Sequence, residues 1–248
     1  MKILAFCNQK GGVGKSTSCF NVGAALKKLG YRVLLIDADP QGDLSTMAGF
    51  MELEENDLQL YDVLHGEDVK AAIKEGAELD IIPSDDFLSA GEIDLVEQPR
   101  TALKDALKPI RKKYDYCLID CPPSLGVLTL NALAAADAVI IPVQADYLPL
   151  KGVARLRETI EKVRRTFNRG LRIGGIVLTF YSGRVNLDND VKESLERAFG
   201  DLVFNTTIPK NKKLAEAPSY GMSIFKYAPG SKGAACYLAL ANEIISRE

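Results

Sequence analysis

Residues 8 to 17 read Asn8-Gln9-Lys10-Gly11-Gly12-Val13-Gly14-Lys15-Ser16-Thr17, a glycine-rich run with two lysines that ends on two hydroxyls. Glycines lack a Cβ, so successive backbone N–H groups can turn inward around phosphate oxygens, with a lysine beside them as a point charge. Lys15 takes that place next to the outer phosphates, the Ser16 hydroxyl can reach Mg²⁺, and Thr17 adds a phosphate contact. The ordinary pattern, G-x-x-x-x-G-K-[ST], needs one lysine and a glycine at its head. Here Gln9 stands at the head and Lys10 is a second cation, which points to two active sites facing each other.

Two later segments supply carboxylates. Arg32 to Asp39 reads RVLLIDAD, an apolar run ending in two acids and followed by the turn Pro40-Gln41-Gly42. Residues two apart on an extended chain point the same way, so Asp37 and Asp39 are both expected to face the phosphates. Tyr116 to Asp120 reads YCLID and meets Cys121-Pro122-Pro123, where proline stops the ladder and leaves Asp120 at the strand end. Asp120 fits an acid that holds Mg²⁺ through water. A single strand-ending aspartate is commonly a turn or helix cap, but three such segments in chain order argue for one magnesium–nucleotide site.

The elements that must position these groups follow from apolar patterning. A strand from Lys2 to Cys7 feeds the loop, and a helix opens at Ser16 and runs to about Leu29, closed by Gly30. Further strands are predicted near Leu79 to Pro83, Ala138 to Val143 and Ile173 to Thr179, the last two being continuous apolar runs suited to a sheet covered on both faces. Val153, Leu156, Ile160, Val163 and Phe167 mark one side of a helix, as do Val191, Leu195 and Phe199 before Gly200. This alternation predicts an α/β fold, a doubly wound, mostly parallel central sheet flanked by helices, as a single domain over residues 1–248. Gly42 to Gly76, acidic from Glu52 to Asp57, reads as helical hairpins over the nucleotide site, and no repeat, low-complexity tract or linker is visible.

At 248 residues and 47% apolar, the chain can bury a large core. No stretch of about eighteen apolar residues occurs, and a first strand starting at Lys2 leaves no room for a cleaved signal, so a cytoplasmic protein is expected. Cys7, Cys19, Cys117, Cys121 and Cys236 form no C-x-x-C pair and read as reduced, largely buried thiols, with Cys117 and Cys121 the pair to watch. His65 reads as a solvent-side residue of a short helix.

The runs KGGVGKST, LLIDADPQGDLS, YDYCLIDCPPSLG and IPKNKKLAEAPSYG together resemble the ParA/Soj partition ATPases, within the deviant Walker A group of P-loop NTPases that includes MinD. The likeness spreads from Cys7 to about Gly233, and the Ile208 to Gly221 segment is what points to the ParA/Soj branch. The resemblance implies that Lys10 reaches across an ATP-sandwiched homodimer to the partner's phosphates. It likewise implies that Lys15 is the loop lysine within the nucleotide-binding run Lys10 to Thr17, Val13 included, and that Ser16 is the metal-binding hydroxyl. Asp39 matches the acid that positions the attacking water, Asp37 and Asp120 match magnesium-shell carboxylates, and Pro209 and Asn211 match adenine contacts, suggesting ATP as the nucleotide. It also implies a ParB-type activator that stimulates hydrolysis, which the acidic Glu52, Glu54 and Glu55 could receive.

Net charge of −2 hides an asymmetry: residues 1–150 hold 14 Lys+Arg against 23 Asp+Glu, and residues 151–248 hold 17 against 10. One basic cluster comprises Lys151, Arg155, Arg157, Lys162, Arg164, Arg165, Arg169 and Arg172, partly offset by Glu158 and Glu161, and it fits a solvated helix face as well as an anion surface. Arg184 and Lys210, Lys212 and Lys213 match the region where ParA/Soj relatives bind double-stranded DNA without sequence preference. Two alternatives use the same switch: a MinD-like membrane-cycling regulator, or a positioning ATPase for a protein cargo. The chain's last twelve residues, from Tyr237, carry two glutamates against one arginine and read as a packed domain helix, which speaks against membrane association.

Overall fold

The apolar runs become the strands of one sheet. The computed structural model describes residues 1–54, 56–84, 87–90, 94–145 and 149–247. β1 (Lys2–Phe6), β2 (Val33–Asp37), β3 (Asp80–Ile82), β4 (Tyr116–Asp120), β5 (Ala138–Gln144) and β6 (Arg172–Thr179) pair in the order β3-β2-β4-β1-β5-β6, each pairing parallel. Phe6 is in register with Asp120, and Asp37 with Asp120, so the loops after β1, β2 and β4 leave from one row. Parallel strands collect ligand-binding loops at their carboxyl ends in this way.

Period-two alternation sends Ile3 and Ala5 to one face and Leu4 and Phe6 to the other, and all four are buried. Both faces are covered by helices in chain order: α1 (Lys15–Lys28), α2 (Asp43–Met47), α3 (Leu60–Leu64), α4 (Val69–Ala72), α5 (Phe87–Ala90), α6 (Ala102–Ala106), α7 (Val127–Ala135), α8 (Pro149–Thr166), α9 (Asn186–Phe199), α10 (Lys212–Glu216), α11 (Ile224–Tyr227) and α12 (Lys232–Ser246). α1 and α12 pack together over Leu4, Leu35 and Leu118, while α7, α8 and α9 lie over Ile3, Ile119 and Ile141. Each buried Leu, Ile or Phe contributes about 1.5–3 kcal/mol, so these two layers hold the strand ends rigidly in place.

Several details differ from the sequence reading. α1 begins one residue early, at Lys15, because Gly14 adopts a left-handed φ of 82° and its carbonyl accepts from Ser18 at 2.9 Å. β2 stops at Asp37, leaving Asp39 in the turn beyond. Between Gly42 and Gly76 the described chain forms the short α2, α3 and α4 instead of hairpins; left-handed Gly49 (φ 96°) and Gly66 (φ 106°) each end a helix after about one turn. Phe167 falls beyond α8 and is 37% exposed, because the Asn168 side chain turns the chain by donating to the carbonyls of Leu133 and Ala136. Among the thiols, Cys117 sits in the row of Ile3 and Leu34, so the neighbour of Cys121 is Cys7, Sγ to Sγ 2.9 Å. His65 is exposed at the end of α3 with its ring on Tyr61, as expected.

β6 carries one irregularity. Val139 pairs with Ile173 but Ile140 pairs with Gly175, so Gly174 is the extra residue of a bulge. A Cβ on Gly175 would lie 2.4 Å from the buried Phe204 ring. Gly175→Ala is therefore expected to lower unfolding free energy by about 1–3 kcal/mol, read from urea denaturation; an unchanged midpoint would show that the ring yields freely.

Candidate phosphate-binding site

Asn8 roots the glycine loop between strands. Its Nδ2 donates to the Pro142 carbonyl at 2.6 Å, its Oδ1 accepts from Lys10 N at 3.0 Å, and Cys7 N donates to the Ile140 carbonyl at 3.0 Å. Gly12 (φ 72°) and Gly14 (φ 82°) take conformations that other residues rarely adopt. No atom lies within 4 Å of a Cβ built on Gly11 or Gly12, so the loop's rim is open for a ligand. From the far side, the Thr179 hydroxyl donates to the Val13 carbonyl at 2.8 Å. The result is a cleft of about 310 Å³ lined by Gly11 to Thr17 glycines and hydroxyls, Lys15, Asp39, Gln41, Met47, Pro123 and Phe180. Lys15 is 7% exposed at its base, whereas Lys10 is exposed.

The carboxylates have different surroundings. Asp37 is fully buried, and its oxygens accept from Ser45 N (2.8 Å), the Ser45 hydroxyl (2.8 Å) and Asp39 N (3.1 Å). Burial outweighs those bonds and pushes its pKa up to about 7. Asp39 accepts from Gln41 N at 3.2 Å while its own carbonyl accepts from the Ser84 hydroxyl at 2.6 Å. Its pKa is raised by burial, with the Gln41 N–H and then Lys15 acting the other way. Asp120 is also fully buried, and its oxygens lack a fully formed hydrogen bond, with the Ser16 hydroxyl the one donor close by among the described residues. Burial first and Asp37 second hold its pKa well above the usual range, with the Ser16 hydroxyl and Lys15 opposing them.

A buried carboxylate without a donor is costly. Asp120 beside the Ser16 hydroxyl suits a hard divalent cation, which prefers oxygen ligands. Among the described residues no group of three or more His, Cys, Asp or Glu could hold a metal by itself. That fits an ion that takes most of its ligands from water and substrate phosphates, the habit of magnesium.

Other predicted residues lie around the same strand ends. The segment before α10 runs beside β6, with Ile208 N donating to Leu178 O at 2.8 Å and Tyr181 N to Ile208 O at 3.1 Å. Pro209 and Asn211 follow directly, and the Asn211 side-chain oxygen is committed to capping α10 through Lys213 N at 2.9 Å. Lys210, Lys212 and Lys213 are exposed there, and so is Arg184 in the turn before α9. The larger basic cluster does not join them as one patch. Arg172 opens β6, at the other end of that edge strand from Arg184 and Lys210, where with Arg157 and Arg164 it lines a groove of about 480 Å³, and Arg164 pairs with Glu161 at 2.8 Å. Glu52 and Glu54 are exposed; Glu55 lies outside the described residues. α12 buries Tyr237, Leu240, Ala241 and Ile244, and no described helix is long and apolar enough to cross a membrane. Sequence reasoning missed Ser45, Ser84, Thr179 and Phe180, of which Ser45, inside the LLIDADPQGDLS run, carried the clearest signal.

Comparison with known proteins shows which family the chain is similar to. A family model described as an AAA domain matches residues 1–173. The chromosome partitioning protein ParA of Caulobacter vibrioides is 48% identical over 255 residues, covering 100% of this chain and 95% of that protein. The sporulation initiation inhibitor protein Soj of Bacillus subtilis is 45% identical over 250 residues, covering 98% of each. Cobyrinic acid a,c-diamide synthase from Mycobacterium smegmatis, solved with a bound ATP analog and magnesium, superposes with a TM-score of 0.84 at 35% identity, covering 98% of this chain and 93% of that one. With relatives of this identity matched over nearly the whole of both chains, the chain belongs to the ParA/Soj family of chromosome-partitioning P-loop ATPases.

Proposed function

We propose that residues 1–248 form a single-domain, Mg²⁺-dependent ATPase that partitions DNA by dimerising on ATP, binding double-stranded DNA without sequence preference, and releasing it on hydrolysis. The observation that carries the reading is the fully buried, poorly satisfied Asp120 carboxyl group beside Ser16 and Lys15, under a glycine loop that also bears an exposed second lysine, Lys10. When bound, the ion would neutralise phosphate and carboxylate charge together.

In this scheme the backbone N–H groups from Gly11 to Thr17 and the Lys15 ammonium hold the phosphates. Ser16 and Asp120 hold the metal with Asp37 in its shell, and Asp37 also keeps Asp39 in place through the Asp39 N–H. Asp39 orients the attacking water. Lys10 crosses to the partner's phosphates, much as an arginine finger does, so the two sites close together. Pro209 and Asn211 border the adenine, the latter with its side-chain amide group.

Arg184, Lys210, Lys212 and Lys213 give one protomer a few phosphate contacts, and pairing doubles them; electrostatic affinity climbs steeply with that number. A cytoplasmic, nucleoid-associated protein with a ParB-type activator follows, the activator docking on the acidic first half near Glu52 and Glu54. The packed α12 favours this DNA reading over a membrane-cycling one, whereas transport of a protein cargo would use the same chemistry.

Asp37 has a folded pKa of about 7 against 3.8 for an ordinary aspartate, so between those values the folded protein holds more protons than the unfolded chain. Stability from the protonated state is complete below the lower value and is lost as pH rises through the upper one. The melting temperature of nucleotide-free protein should therefore drop between pH 5 and pH 8 more than that of Asp120→Asn, with Mg²⁺·ATP restoring most at pH 8; parallel curves for the two proteins would contradict the charge assignment. Asp39→Ala should bind ATP and remain a dimer while turnover falls about 100-fold or more, whereas Lys10→Ala should stay monomeric by light scattering at saturating ATP. Normal turnover in the first, or an ATP dimer in the second, removes the assigned role. Arg184→Ala should weaken DNA binding across all sequences and reduce the salt slope by about 1 per lost contact; an unchanged slope would place the DNA elsewhere.

A further inference from the structure

Phe180 is the non-glycine residue with a positive φ, 54°, among the described residues. A side chain with a Cβ, and a bulky one above all, is disfavoured there unless its surroundings force it. Two hydrogen bonds do so. On one side the Thr179 hydroxyl is tied to the Val13 carbonyl of the phosphate loop at 2.8 Å; on the other, Tyr181 N is tied to the Ile208 carbonyl at 3.1 Å. The chain must turn between them within one residue, and Phe180 takes the strain.

Its ring, on a residue 39% exposed, is not spent on the core. It lies against the loop, with Cε2 3.7 Å from where a Cβ of Gly14 would be, and it borders the phosphate cleft. From the other end of this turn, two short paths reach the basic residues. Ile208 is followed by Pro209 and Lys210. Ser182 is fixed by the Asp188 carboxylate, which accepts from its N–H at 2.7 Å and its hydroxyl at 2.8 Å, and the Ser182 oxygen accepts from Arg184 N at 3.2 Å. Loop and cations are thus joined by an unbroken chain of bonded contacts with one strained residue in its middle.

We propose that Thr179 and Phe180 are positioning residues that carry the state of the phosphate loop to Arg184 and Lys210, so that DNA affinity responds to the nucleotide within a protomer as well as through pairing. The proposal rests on the DNA-binding reading above. A strained turn next to an unstrained conformation is a two-state element, and a ligand that moves Gly14 biases it. Phosphates that draw in the loop's N–H groups press Gly14 on the ring and hold the strained turn, keeping the Arg184 loop and Lys210 side by side. Loss of the outer phosphate frees the turn.

The test is fluorescence anisotropy of a labelled short DNA duplex at saturating non-hydrolysable ATP analogue and at saturating ADP, so that nucleotide affinity drops out of the ratio, with light scattering run in parallel. The variants are Phe180→Gly, which accepts the same φ without strain and removes the ring, Thr179→Val, which removes the hydroxyl, and Phe180→Tyr, which keeps the ring. Wild-type protein with no nucleotide-dependent DNA binding would defeat the DNA reading itself. With a wild-type switch present, Phe180→Gly and Thr179→Val are expected to dimerise yet lose at least about fivefold of the affinity ratio, and Phe180→Tyr to retain it. A ratio unchanged in Phe180→Gly, or lost only in step with dimerisation, or lost equally in Phe180→Tyr, overturns the proposal.

Discussion

Two buried carboxylates in register on neighbouring strands, Asp37 and Asp120, set the terms for everything around them. Neighbouring strands run about 4.8 Å apart, and two unit charges at about 5 Å repel by about 3 kcal/mol at an effective dielectric constant of ~20. That is a large part of the ~5–15 kcal/mol by which a domain is stable. The pair must hold a proton or meet a cation. Lys15, itself nearly buried, supplies one positive charge, and Asp39 adds another negative one. The site is built short of positive charge, which a bound metal ion would supply.

The sheet makes that arrangement possible. In-register parallel pairing of β1, β2 and β4 brings the glycine loop, Asp37 and Asp120 to one edge, and two apolar layers keep them there. Asp37 is held by three donors and in turn holds Asp39, so one acid is structural support for another that faces the cleft. β6 finishes the cleft from the far side and leads directly to the exposed cations, so cleft and basic residues lie within a few residues of each other.

Much of this was legible in the residues. Strand, glycine loop and helix follow local rules, and acids at strand ends after apolar runs are read from a few neighbours. What escaped needed contacts between distant segments. Thr179 is 166 residues from Val13, and Ser84 is 45 from Asp39, so nothing in their own neighbourhoods marks them. Cys7 was not seen as the neighbour of Cys121 because strand order, not chain order, sets that pair. Gly42 to Gly76 has too few periodic apolar residues to show where helices stop, and its left-handed glycines shorten them to single turns. Asp39 was expected on the strand with Asp37; it sits past the strand end, held by backbone bonds that the alternation rule does not contain.

The proton that burial keeps on this pair offers the most direct test. Calorimetric titration of Mg²⁺·ATP into the protein near pH 7, repeated in buffers of different ionisation enthalpy, counts protons released on binding. The account predicts net release from the wild-type protein and little from Asp120→Asn, because the bound cation displaces a proton that burial keeps on the Asp37 and Asp120 pair. Identical heats in every buffer for the wild-type protein would show that the pair carries no proton to lose, and would contradict it.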